Sequence, residues 1–291
     1  MIWLVGNRGM LGTELSLVLE NEKTSFIGTD REVDITDLKI LKEFVKNHSI
    51  EWIINCAAYT AVDKAEDDRD FCKVLNETGP MNIGKTAKEI NAKVIHISTD
   101  YVFNGKGNKP YTEEDDTDPI GVYGTTKRDG ETKLMHENEK SYIVRTAWLY
   151  GKHGPNFVKT MLRLMNEKES VSVVNDQKGS PTWAYDLAVT IAEIMIQSNN
   201  GKTIPYGIYH YTNEGEIAWF DFANEIYKQA KDKGILTKNC DVKPCTSAEF
   251  PAKVTRPAYS VLDKSKIKNT LSFNIPAWNE SLNDFLLING R

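Results

Sequence analysis

The first twelve residues, Met1-Ile-Trp-Leu-Val-Gly-Asn-Arg-Gly-Met-Leu-Gly12, decide the fold class of this 291-residue chain. Residues 2–5 are an apolar run that predicts a buried strand, and Gly6, Gly9 and Gly12 follow it before a segment with helical spacing of apolar residues. Such glycines permit a tight strand-to-helix turn and close approach of a pyrophosphate, which the helix N-terminus can bind. A βα turn without ligand is the alternative, but the position at the start of the chain favours a dinucleotide-binding unit.

Short apolar runs alternate with helical patterns through the first half of the chain, as expected when crossover helices connect parallel strands. Further strands are predicted at residues 25–28, 52–56, 94–98 and 142–146. Thr36 is a predicted cap of the second helix. The pattern predicts an α/β fold, a doubly wound parallel sheet of the Rossmann type.

The alternation loosens beyond Trp148, where we expect the chain to leave the sheet. An apolar helix at 184–196 and a strand at 207–211 have the patterns of elements that return to it. We therefore predict a discontinuous division. An NAD(P)-binding Rossmann domain comprises residues 1–150 with 184–212, and a smaller C-terminal substrate-binding lobe comprises residues 151–183 with 213–291.

Composition excludes several classes of protein. The net charge of −5, with both signs mixed along the chain, argues against a nucleic-acid polymer as partner. No apolar run approaches the roughly 20 residues that span a bilayer, and no signal-peptide pattern is present, so we expect a cytoplasmic protein. The cysteines Cys56, Cys72, Cys240 and Cys245 lack C-x-x-C spacing and are expected to be free thiols.

An acidic residue, Asp30, follows the second predicted strand, where a carboxylate would accept hydrogen bonds from the adenosine ribose of NADH. Arg31 and Arg8 are placed to hold the 2′-phosphate of NADPH instead, so the choice between NADPH and NADH stays open. Asp34 and Ile35 are expected near the adenine. The residues predicted to contact the cofactor are Gly6, Arg8, Gly9, Met10, Leu11, Gly12, Asp30, Arg31, Asp34, Ile35, Ala57, Ala58, Tyr59, Tyr123 and Lys127.

Tyr123 and Lys127 lie four residues apart on a predicted helix, which places their side chains on one face. A surface pair is the alternative, but the preceding dinucleotide loop favours a catalytic role. Tyrosine has an ordinary pKa of about 10, so proton donation near neutrality needs a lowering by roughly 2 to 3 units. The Lys127 ammonium can supply it. Thr99 is the predicted hydrogen-bond donor to a carbonyl oxygen, in preference to Ser98 on the opposite face of the strand.

With these residues in place, the chain resembles the extended short-chain dehydrogenase family, and within it the dTDP-4-dehydrorhamnose reductases. The resemblance spans nearly the whole chain. The matching stretches are Gly6 to Gly12, Asn55-Cys-Ala-Ala-Tyr-Thr-Ala-Val-Asp-Lys64, Ser98-Thr-Asp-Tyr-Val-Phe103, Tyr123-Gly-Thr-Thr-Lys127, Arg145-Thr-Ala-Trp-Leu-Tyr150, Asn156-Phe-Val-Lys-Thr-Met-Leu-Arg-Leu164, Asp176-Gln-Lys-Gly-Ser-Pro-Thr182 and Arg256-Pro257.

The resemblance implies hydride transfer to C4 of the nucleotide sugar dTDP-4-dehydro-L-rhamnose, which gives dTDP-L-rhamnose, a precursor of cell-surface sugars. Thr99, Tyr123 and Lys127 would be catalytic. The residues implied to contact the substrate are Thr99, Val102, Phe103, Trp148, Asn156 and Arg256. Simpler roles compete: Trp148 as an aromatic between lobes, Asn156 as a helix cap and Arg256 as an ion-pair partner.

Two other functions remain open. One is a nucleotide-sugar epimerase or dehydratase, although Thr99 is followed by Asp100-Tyr101 and not by an acidic pair. The other is a non-catalytic NADP-binding regulatory subunit. The chain is expected to be a monomer or a homodimer. Some family members dimerise through magnesium, but Glu14 has no evident partner carboxylates, so no metal is predicted and Glu14 is interpreted as a first-turn helix acid.

Overall fold

The computed structural model describes residues 1–250 and 252–289. In chain order the elements are β1 (Ile2–Val5), α1 (Met10–Asn21), β2 (Phe26–Thr29), α2 (Leu38–Lys46), β3 (Trp52–Asn55), α3 (Val62–Ala65), α4 (Arg69–Lys73), a π-helical turn (Val74–Thr78), α5 (Gly79–Glu89), β4 (Lys93–Thr99), a 3₁₀ turn (Asp100–Val102), α6 (Val122–Glu137), β5 (Ser141–Thr146), β6 (Leu149–Tyr150), α7 (Phe157–Glu167), β7 (Ser170–Val174), β8 (Lys178–Gly179), β9 (Thr182–Trp183), α8 (Ala184–Asn199), β10 (Gly207–His210), β11 (Ile217–Ala218), α9 (Trp219–Asp232), β12 (Asp241–Cys245), α10 (Ser265–Leu271) and α11 (Trp278–Asn289).

A six-stranded sheet in the order β10-β5-β4-β3-β1-β2 forms the centre of the molecule, and every neighbouring pair in it is parallel. The chain moves from β1 to β2 on one side and then crosses to β3 on the other. The carboxyl ends of the strands therefore open into a crevice at this reversal, which is where ligands bind in open α/β sheets. The predicted α/β class is confirmed.

Helices cover both faces of the sheet. On one face Leu15 of α1 and Ile191 of α8 pack against the strands, and on the other Leu41 of α2, Ile83 of α5 and Leu134 of α6 do so. Strands enclosed on both sides bury consecutive residues, which explains why β1 and β3 are continuous apolar runs and do not alternate.

The glycine loop joins β1 to α1 through contacts that leave no room for side chains. Gly6 has φ +75°, and a Cβ on it would lie 2.8 Å from the Ala57 nitrogen. A Cβ on Gly12 would lie only 2.1 Å from the Gly6 carbonyl oxygen. Gly9 is the N-cap of α1 at φ −74°, and its N–H donates to Gly6. The loop therefore needs glycine at positions 6 and 12 for different reasons, conformation and close approach.

A separate apolar cluster lies in the C-terminal part of the chain. It joins α7, β7, α9 and α11, and its buried members include Val158, Val173, Phe222 and Phe285. β7 pairs with β12 beside it. α8 packs on α1 and β10 pairs with β5, so this part of the chain does return to the sheet. α10 also packs on the sheet side, although the predicted division assigns it to the C-terminal lobe. The chain therefore passes between the two parts more often than that division assumes, and the division stays a prediction.

Two local predictions are wrong. The cap of α2 is Asp37, whose Oδ1 accepts from the Lys39 N–H at 2.8 Å, whereas the Thr36 hydroxyl donates to Asp34. Glu14 lies beyond the first turn of α1 and is only 6% exposed, and its Oε1 accepts from the Lys152 backbone N–H at 3.4 Å. Burial against residues after β6, and not the helix dipole, accounts for its position.

The four cysteines are free thiols, as predicted. Among the described residues, no helix combines the length and the apolar composition that a membrane span requires.

Substitution Gly12→Ala should lower the free energy of unfolding by about 2–3 kcal/mol, because the new Cβ collides with backbone atoms that cannot move aside. Gly9→Ala is the matched control in the same loop, since its Cβ would lie 3.3 Å from the Gly6 oxygen at an ordinary φ. It should cost less than about 1 kcal/mol. Urea unfolding measures both, and equal losses would contradict this account of the loop.

Candidate active site

A cavity of about 790 Å³ lies at the carboxyl ends of β1, β2 and β3. Its lining includes ten of the predicted cofactor residues: Gly6, Arg8, Gly9, Asp30, Arg31, Asp34, Ile35, Ala57, Ala58 and Tyr59. Phe71 and Leu75 also line it, although nothing in the sequence pattern singled them out. Residues separated by more than fifty positions are brought together because parallel strands end at one edge of the sheet.

The first turn of α1 fits a phosphate group. In the described structure its N-cap, Gly9, supplies no side-chain hydrogen bond, and no acidic residue lies in the turn. Unpaired N–H groups and the positive end of the helix dipole are therefore available there. Leu11 is buried in the core, so it can meet a ligand only through its backbone, whereas the Met10 side chain is partly exposed and lies against Gly151.

Glu32 was missed by the sequence argument. Its Oε1 accepts from the Asp30 backbone N–H at 3.0 Å and from Arg8 Nη2 at 3.2 Å. Backbone hydrogen bonds from Glu32 itself and from Asp30 lower the pKa of this carboxyl. Arg8 is thus engaged by a carboxylate at the edge of the cavity. A search for an acid within reach of Arg8 could have found it, but the sequence separation of 24 residues hides the pair.

Thr99 and Tyr123 meet where β4 ends and α6 begins. The Thr99 hydroxyl lies beside the Tyr123 phenol and acts to lower the pKa of that phenol. It accepts from the Tyr101 N–H at 3.2 Å and lies 3.0 Å from Asp100 Oδ1. The Ser98 hydroxyl is buried without a hydrogen-bond partner in the described part of the chain. The geometry thus places Thr99, and not Ser98, beside the phenol.

Lys127 lies one turn further along α6 and is 2% exposed. Its Nζ donates to the Ile97 carbonyl at 2.6 Å and lies 3.2 Å from His96 Nε2. Burial lowers the pKa of Lys127 to about 8. Burial also raises the pKa of Tyr123, against the opposing hydrogen bond with Thr99. The protein's own groups therefore do not produce the depression of the Tyr123 pKa that the sequence argument expected.

Asp100 is a third buried titratable group at this edge, and it is not among the predicted site residues. Its carboxyl is 3% exposed, and burial raises its pKa to about 6 against hydrogen bonds from Ser260 and Thr99. The signal in the sequence was its position directly after Thr99 at the end of a strand. Asp100 links the end of β4 to Ser260 of the C-terminal segment.

Trp148 adopts a left-handed backbone conformation, with φ 49°. Its ring stacks on Trp219 with centroids 3.6 Å apart, and a Cβ on Gly179 would lie 2.5 Å from it. A bulky residue in this region of φ is strained, and such strain concentrates at functional sites. Trp148 therefore packs on the C-terminal apolar cluster with a strained backbone, and its role in binding stays a prediction.

Val102 and Phe103 are fully buried, at 0% and 1% exposure. Phe103 stacks on Tyr111 at 4.3 Å, and both residues pack with Leu262. Their side chains face the protein interior, so the structure does not bring them to a cleft. A direct contact between these side chains and a substrate is not available in this arrangement.

Asn156 is the N-cap of α7, because its Oδ1 accepts from the Lys159 N–H at 3.1 Å. Its Nδ2 donates to the Gly151 carbonyl at 2.8 Å. Both ends of the amide are thus used by the protein itself. The structure places Asn156 as a cap, which was the simpler of its two predicted roles.

Arg256 lines two cavities, of about 670 and 710 Å³. Its Nη2 pairs with Asp63 Oδ2 at 3.0 Å and its Nη1 lies 3.4 Å from the Tyr101 hydroxyl. The Tyr101 ring in turn meets Tyr123 edge-on at 5.5 Å. A half-exposed guanidinium is therefore connected to the Tyr123 phenol through one aromatic ring.

The family model described as RmlD substrate binding domain matches residues 1–289. The chain belongs to this family. A dTDP-4-dehydrorhamnose reductase of Streptomyces griseus is 41% identical over 269 residues, which cover 91% of this chain and 86% of the relative. One from Aggregatibacter actinomycetemcomitans is 37% identical over 281 residues, 96% of each chain.

Among solved structures of the family, the dTDP-4-dehydrorhamnose reductase of Bacillus anthracis in complex with NADP is 38% identical. It has a TM-score of 0.91 and covers 99% of this chain and 98% of that chain. The resemblance inferred from the sequence motifs is thereby confirmed.

Asp100→Asn should alter the pH dependence of stability. The wild-type carboxyl ionises near 3.8 when unfolded and near 6 when folded, so wild-type stability falls as the pH rises through this window, by up to about 3 kcal/mol. The variant lacks that loss, so its free energy of unfolding relative to the wild type should rise between pH 4 and 6. Above pH 6 the difference between the two proteins should stay constant. Urea unfolding at pH 4 to 8 measures the difference.

Ser260→Ala serves as the companion variant in this experiment. It removes a hydrogen bond that favours the Asp100 carboxylate, so the folded-state pKa of Asp100 rises and the upper end of the window should move to higher pH. A constant difference between Asp100→Asn and wild type over the whole range would show that Asp100 ionises normally in the folded protein.

Proposed function

We propose that this protein reduces the C4 keto group of dTDP-4-dehydro-L-rhamnose to dTDP-L-rhamnose with NADPH or NADH. The observation that carries the proposal is that Thr99 and Tyr123 meet at the carboxyl edge of the sheet, where Thr99 acts to lower the pKa of the phenol, with Lys127 one helical turn away. The two curated relatives described above carry the name of this reductase, which supports the substrate. The NADP complex of the Bacillus anthracis relative supports a nicotinamide cofactor.

The lining of the 790 Å³ cavity fits the cofactor. We place the pyrophosphate at Gly6, Gly9 and the first turn of α1, with the backbone of Met10, Leu11 and Gly12. Asp30, Arg31 and Arg8 would meet the adenosine ribose or its 2′-phosphate. The other proposed contacts are Asp34, Ile35, Ala57, Ala58, Tyr59, Tyr123 and Lys127.

When bound, the reduced nicotinamide supplies the hydride that C4 accepts. The proton for O4 comes from the Tyr123 hydroxyl, and the Thr99 hydroxyl, which lies beside that phenol, holds the carbonyl oxygen. Lys127 stabilises the phenolate that remains after proton donation. Since burial favours neutral Tyr123, the phenol keeps its proton until a carbonyl oxygen accepts it.

On the substrate side we assign Trp148 to packing on the deoxysugar and Arg256 to the pyrophosphate. Arg256 would exchange its contact with the Asp63 carboxylate for phosphate oxygens, which a guanidinium can bind through two nitrogens. Asn156 would act by capping α7 near this edge. Val102 and Phe103 would support the site from the interior.

The remaining proposals concern the setting of the enzyme. We propose a cytoplasmic monomer or homodimer with the two-part division predicted from the sequence. The path of α10 adds part of the C-terminal region to the sheet side of that division.

An assay with dTDP-4-dehydro-L-rhamnose and each reduced cofactor tests the function, with the product identified by mass. Stoichiometric oxidation of NADPH or NADH with gain of two hydrogens in the sugar is the expected result. An isomerised sugar without net cofactor consumption would indicate an epimerase. Cofactor binding with no turnover on any keto sugar would indicate a regulatory subunit.

Tyr123→Phe should lower kcat at least about 100-fold, the usual effect of losing a general acid, while the Kd for NADPH changes little. Tyr101→Phe is the matched control, because it removes the hydroxyl of the neighbouring aromatic ring, and that hydroxyl contacts Arg256. Its kcat should stay within about tenfold of the wild type. Steady-state kinetics and fluorescence titration measure both, and full turnover by Tyr123→Phe would remove this residue from the mechanism.

Glu32→Gln should raise the preference for NADPH over NADH by about two- to fivefold, the range of exposed ion pairs. The substitution releases Arg8 for the 2′-phosphate and removes a negative charge beside it. Glu51→Gln, at an exposed carboxylate at the amino end of β3, is the control. The measurement is the ratio of kcat/KM with NADPH to kcat/KM with NADH. An unchanged ratio would show that Arg8 does not bind the 2′-phosphate.

A further inference from the structure

A chain of buried polar side chains runs behind Lys127. Asn55 ends β3 and His96 lies within β4, with exposures of 1% and 0%. Asn55 Nδ2 is 3.0 Å from His96 Nδ1, and His96 Nε2 is 3.2 Å from Lys127 Nζ. Neither Asn55 nor His96 has a role in the reaction described above.

The direction of each hydrogen bond in this chain follows from one backbone group. The Ala57 N–H can only donate, and it donates to Asn55 Oδ1 at 3.0 Å. The amide nitrogen of Asn55 therefore faces His96 Nδ1, which must accept. A neutral imidazole then carries its single proton on Nε2, directed at Lys127. An ammonium has no lone pair to accept this proton, so only a neutral Lys127 amine satisfies every member of the chain.

The charges around Lys127 leave the amine without a bonded counter-ion. The Glu131 carboxylate on α6, one turn away, raises the pKa of Lys127, but Arg145 donates to both oxygens of that carboxylate. Two thiols face it, Cys56 after β3 and Cys72 on α4, and burial raises the pKa of both.

Within the described residues no carboxylate is hydrogen-bonded to Lys127. Tyr123, on the same helix, has its pKa raised by burial, and burial lowers the pKa of His96 far below its usual value. These groups are therefore neutral near pH 7, and burial of Lys127, which lowers its pKa to about 8, acts in the same direction as the hydrogen-bond chain.

We propose that Asn55 and His96 are positioning residues that favour the neutral amine of Lys127 in the free protein, so that in alkaline solution binding of the dinucleotide cofactor is coupled to uptake of one proton from solvent by this amine. The inference rests on the proposed function, since it requires Lys127 to contact the cofactor. Ribose hydroxyl oxygens and phosphate charges favour the ammonium, which donates to them and to Ile97 and no longer needs to accept from His96.

The Kd for NADPH, measured by fluorescence titration between pH 7 and 9.5, tests the coupling without any sugar substrate. For the wild type, affinity should be nearly constant below about pH 8 and weaken about tenfold for each pH unit above it, because the amine must then take up a proton. This change in the pH dependence of affinity near pH 8 is the break. Lys127→Gln should bind NADPH with no break in this range. A break that persists in Lys127→Gln, or a flat wild-type profile, would overturn the inference.

Two variants test the roles of His96 and Asn55 independently. In His96→Gln the amide oxygen can accept from a Lys127 ammonium. In Asn55→Asp the carboxylate accepts both the Ala57 N–H and a proton on His96 Nδ1, which frees the Nε2 lone pair for Lys127. Both changes favour the ammonium in the free protein, so the break should move up by at least about one pH unit.

A purely structural role for these residues would weaken binding or stability and leave the break in place, which would overturn the inference. If either variant fails to fold, the other still decides, because the substitutions lie on different strands. Absence of NADPH binding by the wild type at every pH would instead overturn the proposed function, and this inference with it. NADPH binding with an unmoved break contradicts the inference alone.

Discussion

The structure depends on a close approach of the backbone to itself at the first turn. Because Gly12 presents no Cβ to the Gly6 carbonyl, α1 starts directly above the end of β1, and because Gly6 has none, the loop lies against Ala57 after β3. These two contacts align the ends of β1 and β3 with the N-terminus of α1. The cavity at the strand ends, with its unpaired helix N–H groups, follows from them.

Burial is the largest influence on the pKa of Tyr123, Asp100 and Lys127, and in each case it favours the neutral form. It raises the pKa of Tyr123 and Asp100 and lowers that of Lys127. Charges brought into such surroundings interact more strongly than in water, since few solvent dipoles screen them. A ligand carrying phosphates or a polarised carbonyl therefore changes the protonation balance of this site more than it would at the surface.

The sequence predicted the features that depend on local pattern: the strands of the sheet, the glycine loop and the pairing of Tyr123 with Lys127 on one helix. It did not reveal features that depend on how distant segments meet. The pairing of Arg8 with Glu32 and the contact of His96 with Lys127 need the register of neighbouring strands and the rotation of α6, which no local spacing encodes. The α2 cap was misassigned by one residue because Thr36 and Asp37 are both good caps, and the hydrogen bonds alone distinguish them.

The orientation of α6 against the sheet has its own support in the interior. Glu131, one turn beyond Lys127, binds Arg145 of β5 at 2.7 Å, with both side chains almost fully buried. Breaking such a pair costs about 3–5 kcal/mol, because it leaves a buried charge without a partner. The Arg145 guanidinium also lies 5.2 Å over the Phe103 ring. Phe103 therefore packs on the ion pair that fixes the helix carrying Tyr123. This contact explains why Phe103, in the stretch from Ser98 to Phe103, faces the interior.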